Sequence, residues 1–86
     1  MTLRLHPDVS TTDTDAGVVL LHMSTGRYWQ LNLTGTHILR RLLDGCRPSH
    51  IATDLAGRYE LPSSEAHGDV GALLVELCTT GLVITS

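Results

Sequence analysis

The chain contains no phenylalanine and no lysine. Its aromatic residues are Tyr28, Trp29 and Tyr59, and two of these three stand side by side, a placement that asks for an explanation. Basic residues are scarce: six arginines face nine acidic residues for a net charge of −3, and only Arg40 and Arg41 adjoin. That balance excludes a phosphate-binding surface of the usual kind, which needs clustered Lys and Arg, so no nucleic-acid partner is expected. The two cysteines, Cys46 and Cys78, are too few for a disulfide-stapled secreted scaffold and too far apart for a CxxC motif. The apolar run Val18–Leu21 is far too short to span a bilayer, so no membrane association is expected. The Met1–Leu5 segment has no long apolar stretch, so no signal peptide is read and a cytoplasmic location is expected.

What is present reads as one domain over residues 1–86, with 42% hydrophobic and 17% charged residues. Leu3–His6 alternates apolar and polar and stops at Pro7, which predicts a short edge strand. Ser10–Gly17, rich in Thr and Asp, reads as a polar loop. Val18–Met23 is continuous and β-branched at its start, as a central strand would be. Ser24-Thr25-Gly26 is a short hairpin connection, and Arg27–Leu31 returns antiparallel, with Trp29 and Leu31 on one face and Tyr28 and Gln30 on the other.

Three helices follow. The first starts near Asn32–Thr34, carries Ile38, Leu39, Leu42 and Leu43 at helical spacing, and ends at Gly45. The second opens at Pro48 or Ser49, repeats Ile51, Leu55 and Tyr59 at period four, and closes at Pro62. The third is predicted to be capped by Ser63 or Ser64, to bury Val70, Leu74 and Leu77 with Cys78 at their side, and to stop at Gly81. Leu82-Val83-Ile84 then packs back as a tail. Three strands followed by three helices in one small domain define an α+β fold of winged-helix-like arrangement, with a three-stranded antiparallel sheet.

Catalytic and metal-binding patterns are missing. His6, His22, His37, His50 and His67 are spread one per element, with no HxxxH and no His–Cys pairing at ligand distance, so no metal or cofactor is expected. A cysteine nucleophile would need a base held beside it, and neither Cys46 nor Cys78 is read as one; Asp69 and Glu76, two helical turns apart, do not suit a shared-proton dyad. There is no phosphate-binding glycine loop and no nucleophile elbow. The chain is therefore read as a non-enzyme whose surface does the work.

Two surfaces stand out. On the third helix Ala66, Asp69, Leu73 and Glu76 recur at three- and four-residue spacing beside the core stripe, giving a face with small, acidic and apolar members. The Arg27–Leu31 strand, if it is a sheet edge, offers unpaired main-chain groups to an added strand. Four to six main-chain bonds at about 0.5–1.5 kcal/mol each would bind only weakly after the cost of ordering a flexible guest. Apolar anchors in the groove must supply the rest, and Tyr28 and Trp29 offer large area with few rotamers to freeze.

The ordered set Tyr28-Trp29-Gln30-Leu31-Asn32-Leu33-Thr34-Gly35, Ile38-Leu39, Leu42-Leu43-Asp44-Gly45, Ile51, Leu55, Tyr59, Asp69-Val70, Leu73-Leu74, Leu77 and Gly81-Leu82 resembles the PqqD-like family. It is similar in particular to the discrete leader-recognition proteins of lasso-peptide biosynthesis. The likeness spans almost the whole chain; the Asp13–Gly17 loop and the Ser64–His67 start of the third helix do not carry it. The resemblance implies a RiPP recognition element, a non-catalytic domain that binds the leader of a ribosomally made precursor peptide as an added strand. Carried onto this sequence, the strand is Arg27, Tyr28, Trp29, Gln30 and Leu31, and the facing helix surface is Asp69, Leu73 and Glu76, with Ala66 on the same spacing. Lasso leaders commonly offer a Tyr and a Pro to this site. The resemblance further implies a separate leader peptidase and a separate macrolactam cyclase as downstream partners. Relatives in the family also serve quinone-cofactor and other modified-peptide pathways, and a winged-helix nucleic-acid binder is the alternative on topology alone.

Overall fold

A short strand, β1 (Leu3–Leu5), opens the chain in the computed structural model, which describes residues 3–85. It does not join the main sheet. It pairs antiparallel with β5 (Val83–Thr85), in the register Leu3 to Thr85 and Leu5 to Val83. Leu3, Leu82 and Val83 are buried there, so the expected return of the tail takes the form of a two-stranded ribbon that closes the core from one side.

The three-stranded sheet is instead β2 (Val9–Thr14), β3 (Gly17–His22) and β4 (Arg27–Leu31), antiparallel and in that order. All of its first strand but Val9 lies within Ser10–Gly17, the segment read as a polar loop. The reason is legible afterwards. In β2 only Val9 is even half-buried, so the segment has no apolar alternation to report. Threonines, which favour the pleated surface, carry it instead. A two-residue turn at Asp15-Ala16 joins Thr14 to Gly17, and the Thr14 hydroxyl donates to the Gly17 carbonyl at 2.7 Å.

β3 is the central strand. Val18 and Leu20 face the helices and are buried, with Leu20 fully so, and each side chain of that size stabilises the fold by about 1.5–3 kcal/mol. Opposite them on β4 stand Leu31 and Trp29, half-buried and packed against the same core. Val19, Leu21, Tyr28 and Gln30 share the other face of the sheet, where Tyr28 is exposed.

Helix α1 (Leu33–Leu43) is capped by Asn32, whose Oδ1 accepts the Gly35 amide at 2.8 Å, and it buries Ile38, Leu39 and Leu42. Helix α2 (Pro48–Tyr59) begins with proline at its first position, buries Ile51, Ala52 and Leu55, and ends at Glu60 in the left-handed conformation. Tyr59, expected on the buried stripe, is 41% exposed. Helix α3 (Ser63–Thr79) starts after Pro62 with no side-chain cap, so neither Ser63 nor Ser64 caps it; both sit inside its first turn. Its buried stripe is Ala66, Val70 and Leu77, with Leu73 and Leu74 half-buried beside it. Cys78, expected beside the core stripe, is exposed, whereas Cys46 packs against the core. No helix among the described residues is long and apolar enough to cross a membrane.

Candidate functional site: an open strand edge beside a cleft

Strand β4 pairs with β3 on one side only, and among the described residues nothing pairs with its other side. The hydrogen bonds around the hairpin establish which main-chain groups face that open edge. The Met23 amide donates to the Asp8 carbonyl at 2.8 Å, toward β2, and the His22 carbonyl accepts the Gly26 amide at 2.9 Å, toward β4. Successive residues of a strand alternate in direction. Val18, Leu20 and His22 therefore address β4, where their partners are Leu31, Trp29 and Arg27. The residues between them, Tyr28 and Gln30, turn their N–H and C=O groups to the open edge. Two residues with both groups available can hold four main-chain hydrogen bonds.

Next to that edge lies a cleft of about 350 Å³. The C-terminal end of β4 forms one wall with Gln30 and Leu31. The first turns of α1 contribute Asn32, Thr34, Gly35 and Ile38, and the middle of α3 contributes Asp69, Ala72 and Leu73. Leu31, Ile38, Ala72 and Leu73 make an apolar lining, and Gln30, Asn32, Thr34 and Asp69 supply polar groups around it. A chain laid along β4 would place alternate side chains on the face of the sheet where this cleft lies.

Of the residues singled out from the sequence, the structure brings Gln30, Leu31, Asp69 and Leu73 together at the cleft. Trp29 stands on the same sheet face but is half-buried against the core, opposite Leu20. Arg27 and Tyr28 are exposed at the other end of β4, and Glu76 is exposed on α3 outside the cleft lining. Ala66 does not lie on this surface. It is completely buried, because at positions 66, 70 and 77 the helix turns toward the core, where it packs on α2 and β5. Sequence reasoning missed Asn32, Thr34, Gly35, Ile38 and Ala72. The run Asn32-Leu33-Thr34-Gly35 carried a signal, but as a helix start; that the same turn walls a cleft depends on where α3 packs.

The structure is thus an α+β domain with an open strand edge beside a partly apolar cleft, the kind of edge to which an added strand can pair. Residues 17–83 match the model of the family described as coenzyme PQQ synthesis protein D, PqqD. The chain belongs to that family. A search of curated sequences finds no significant match. Two solved structures are closely similar. Lasso peptide synthetase B1 complexed with the leader peptide is 40% identical, with a TM-score of 0.90 over 99% of this chain and 100% of that one. TbiB1 in complex with the TbiA(beta) leader peptide is 28% identical, with a TM-score of 0.83 over 100% of this chain and 98% of that one.

Proposed function

We propose that this protein is a non-catalytic adaptor of lasso-peptide biosynthesis that binds the leader of a precursor peptide as a fourth strand on β4. The leader takes main-chain hydrogen bonds from Tyr28 and Gln30. Its inward side chains enter the groove against α3, where Leu31 and Leu73 supply apolar contact and Asp69 stands at the rim. Arg27, Trp29 and Glu76 extend the contact along the strand and helix. The adaptor acts in the cytoplasm and presents the bound precursor to a separate leader peptidase, and after it to a macrolactam cyclase.

The observation that carries this reading is the open edge of β4 running into a cleft of about 350 Å³, in a chain 40% identical to a synthetase B1 solved with a leader peptide. Strand addition accounts for both features at once. The edge supplies main-chain bonds without regard to sequence, and the cleft supplies side-chain selection. The test is fluorescence-polarisation titration with the leader peptide of that 40%-identical relative, labelled with fluorescein. Saturable binding is expected, with chemical-shift changes at the amides of Tyr28 and Gln30 in a ¹H–¹⁵N spectrum. Absence of binding, or shifts confined to the β2 edge, overturns the reading. Presentation is tested by leader cleavage of a precursor by the peptidase with and without the adaptor, where the adaptor is expected to accelerate it.

A further inference from the structure

We infer that Asp69 gives the groove a charge preference: the guest strand carries a basic side chain, Arg or Lys, at the inward-facing position opposite Leu31. The inference rests on the strand-addition reading above and adds a chemical requirement to it.

Asp69 is the one charged residue lining the cleft. It is exposed and takes part in no ion pair among the described residues, where the recorded pairs are His37–Asp54 and Arg40–Asp13. No basic side chain of the described residues, Arg58 in the last turn of α2 and His67 on α3 included, lies within ion-pair distance of it. Helix α3 contains no Arg, and its other carboxylates are Glu65 and Glu76. The only base on β4 is Arg27, four residues from Leu31 and so about 13 Å away along the strand. The arginines of α1 lie in its last turn, whereas the cleft is built from its first turns.

A guest covering the cleft takes water away from this carboxylate. With an apolar guest side chain alone, that desolvation opposes binding. With a cation at the rim, it is offset by a charge-assisted hydrogen bond. The geometry suits a long basic side chain. Leu31 and Leu73 line the same cleft as Asp69, so the aliphatic stem of an Arg or Lys can cover apolar surface there while its head pairs with the carboxylate. The position opposite Leu31 is the relevant one, because a residue there points to the same sheet face as Leu31, toward α1 and α3.

The experiment uses the leader peptide of the 40%-identical relative as scaffold. Each residue is replaced in turn by Arg, Gln and Glu, and the set is titrated by fluorescence polarisation against the wild-type protein, Asp69→Asn and Asp69→Arg. At one position the wild type is expected to rank Arg above Gln above Glu, by about threefold per step, and the spread shrinks as NaCl is raised. Asp69→Asn is expected to flatten that series. Asp69→Arg is expected to invert it. A flat series at every position in the wild type, or an unchanged ranking in Asp69→Asn, overturns the assignment and leaves strand addition standing. Failure of the wild type to bind any peptide of the set overturns both.

Discussion

The hydroxyl of Thr36 accepts a hydrogen bond from the amide of Val18 at 2.9 Å. It also donates to the Leu31 carbonyl at 3.5 Å. One buried side chain thus ties the start of β3, the end of β4 and the first turns of α1 to each other. Two of those three elements wall the cleft. The strand–helix corner at Leu31–Gly35 is held in place by this contact together with the Asn32 cap.

Thr36→Val is expected to destabilise the protein by about 1–3 kcal/mol, because the methyl replaces the acceptor and strands the Val18 amide in the core. Thr36→Ser, which keeps the hydroxyl, is expected to lose less. Urea unfolding of both variants checks the pair. Leader affinity is expected to follow the same order, since the cleft wall moves with the corner.

Gly17 approaches the same corner from the other side. Its φ is +133°, and a Cβ built there would lie 1.9 Å from the Leu31 carbonyl oxygen. No side chain fits without moving the end of β4. Gly17→Ala therefore combines an unfavourable backbone conformation, about 1–3 kcal/mol, with displacement of a cleft wall. A lowered thermal midpoint together with weakened peptide binding is expected. An unchanged midpoint would show that the Gly17–Leu31 approach is not maintained in solution.

The alternating direction of main-chain groups on β4 gives a sharper pair. At Tyr28 the amide faces the open edge; at Trp29 it faces β3. Tyr28→Pro is expected to fold, because proline on an edge strand forfeits no ladder bond within the protein, and to lose about tenfold or more in peptide affinity. Trp29→Pro breaks the ladder to β3 and is expected not to fold. Circular dichroism and fluorescence polarisation on the two variants separate the outcomes. The reverse pattern would mean that the register is offset by one residue.

How much of this was readable in the chain follows from where each element gets its stability. The hairpin and the three helices announced themselves because they bury an apolar face: Val18 and Leu20, then Ile38, Leu39 and Leu42, then Ile51 and Leu55, then Val70 and Leu77. The strand Val9–Thr14 buries almost nothing, so hydrophobic patterning could not see it, and Leu3–His6 was counted as an edge strand of the main sheet, whereas Leu3–Leu5 pairs with Val83–Thr85, a partner remote in sequence. At the candidate site, Leu31 and Leu73 were legible from periodicity. Ala66 was misplaced because, four residues before Val70, it lies on the buried stripe of α3 and not on the exposed face that carries Asp69. The contribution of α1 was invisible, since only the position of α3 across the cleft from the strand–helix corner makes a wall of Asn32, Thr34 and Gly35.

Gly35 allows binding to be changed with little change in stability. It stands in the first turn of α1 on the cleft wall, and a Cβ there would meet Asn32 Oδ1 at 3.3 Å and Leu31 Cβ at 3.4 Å. Those contacts require only a few tenths of an ångström of adjustment. Alanine gains about 0.5–1 kcal/mol over glycine within a helix, which offsets the crowding. The added methyl, however, occupies space between Leu31 and the helix that a guest side chain would fill. Gly35→Ala is expected to keep its thermal midpoint within a few degrees while binding the labelled leader several-fold more weakly, and a bulkier Gly35→Val more weakly still. If both variants bound as tightly as the wild type, guest side chains would not reach this wall, and the selective contacts would have to be sought nearer Trp29 and Glu76.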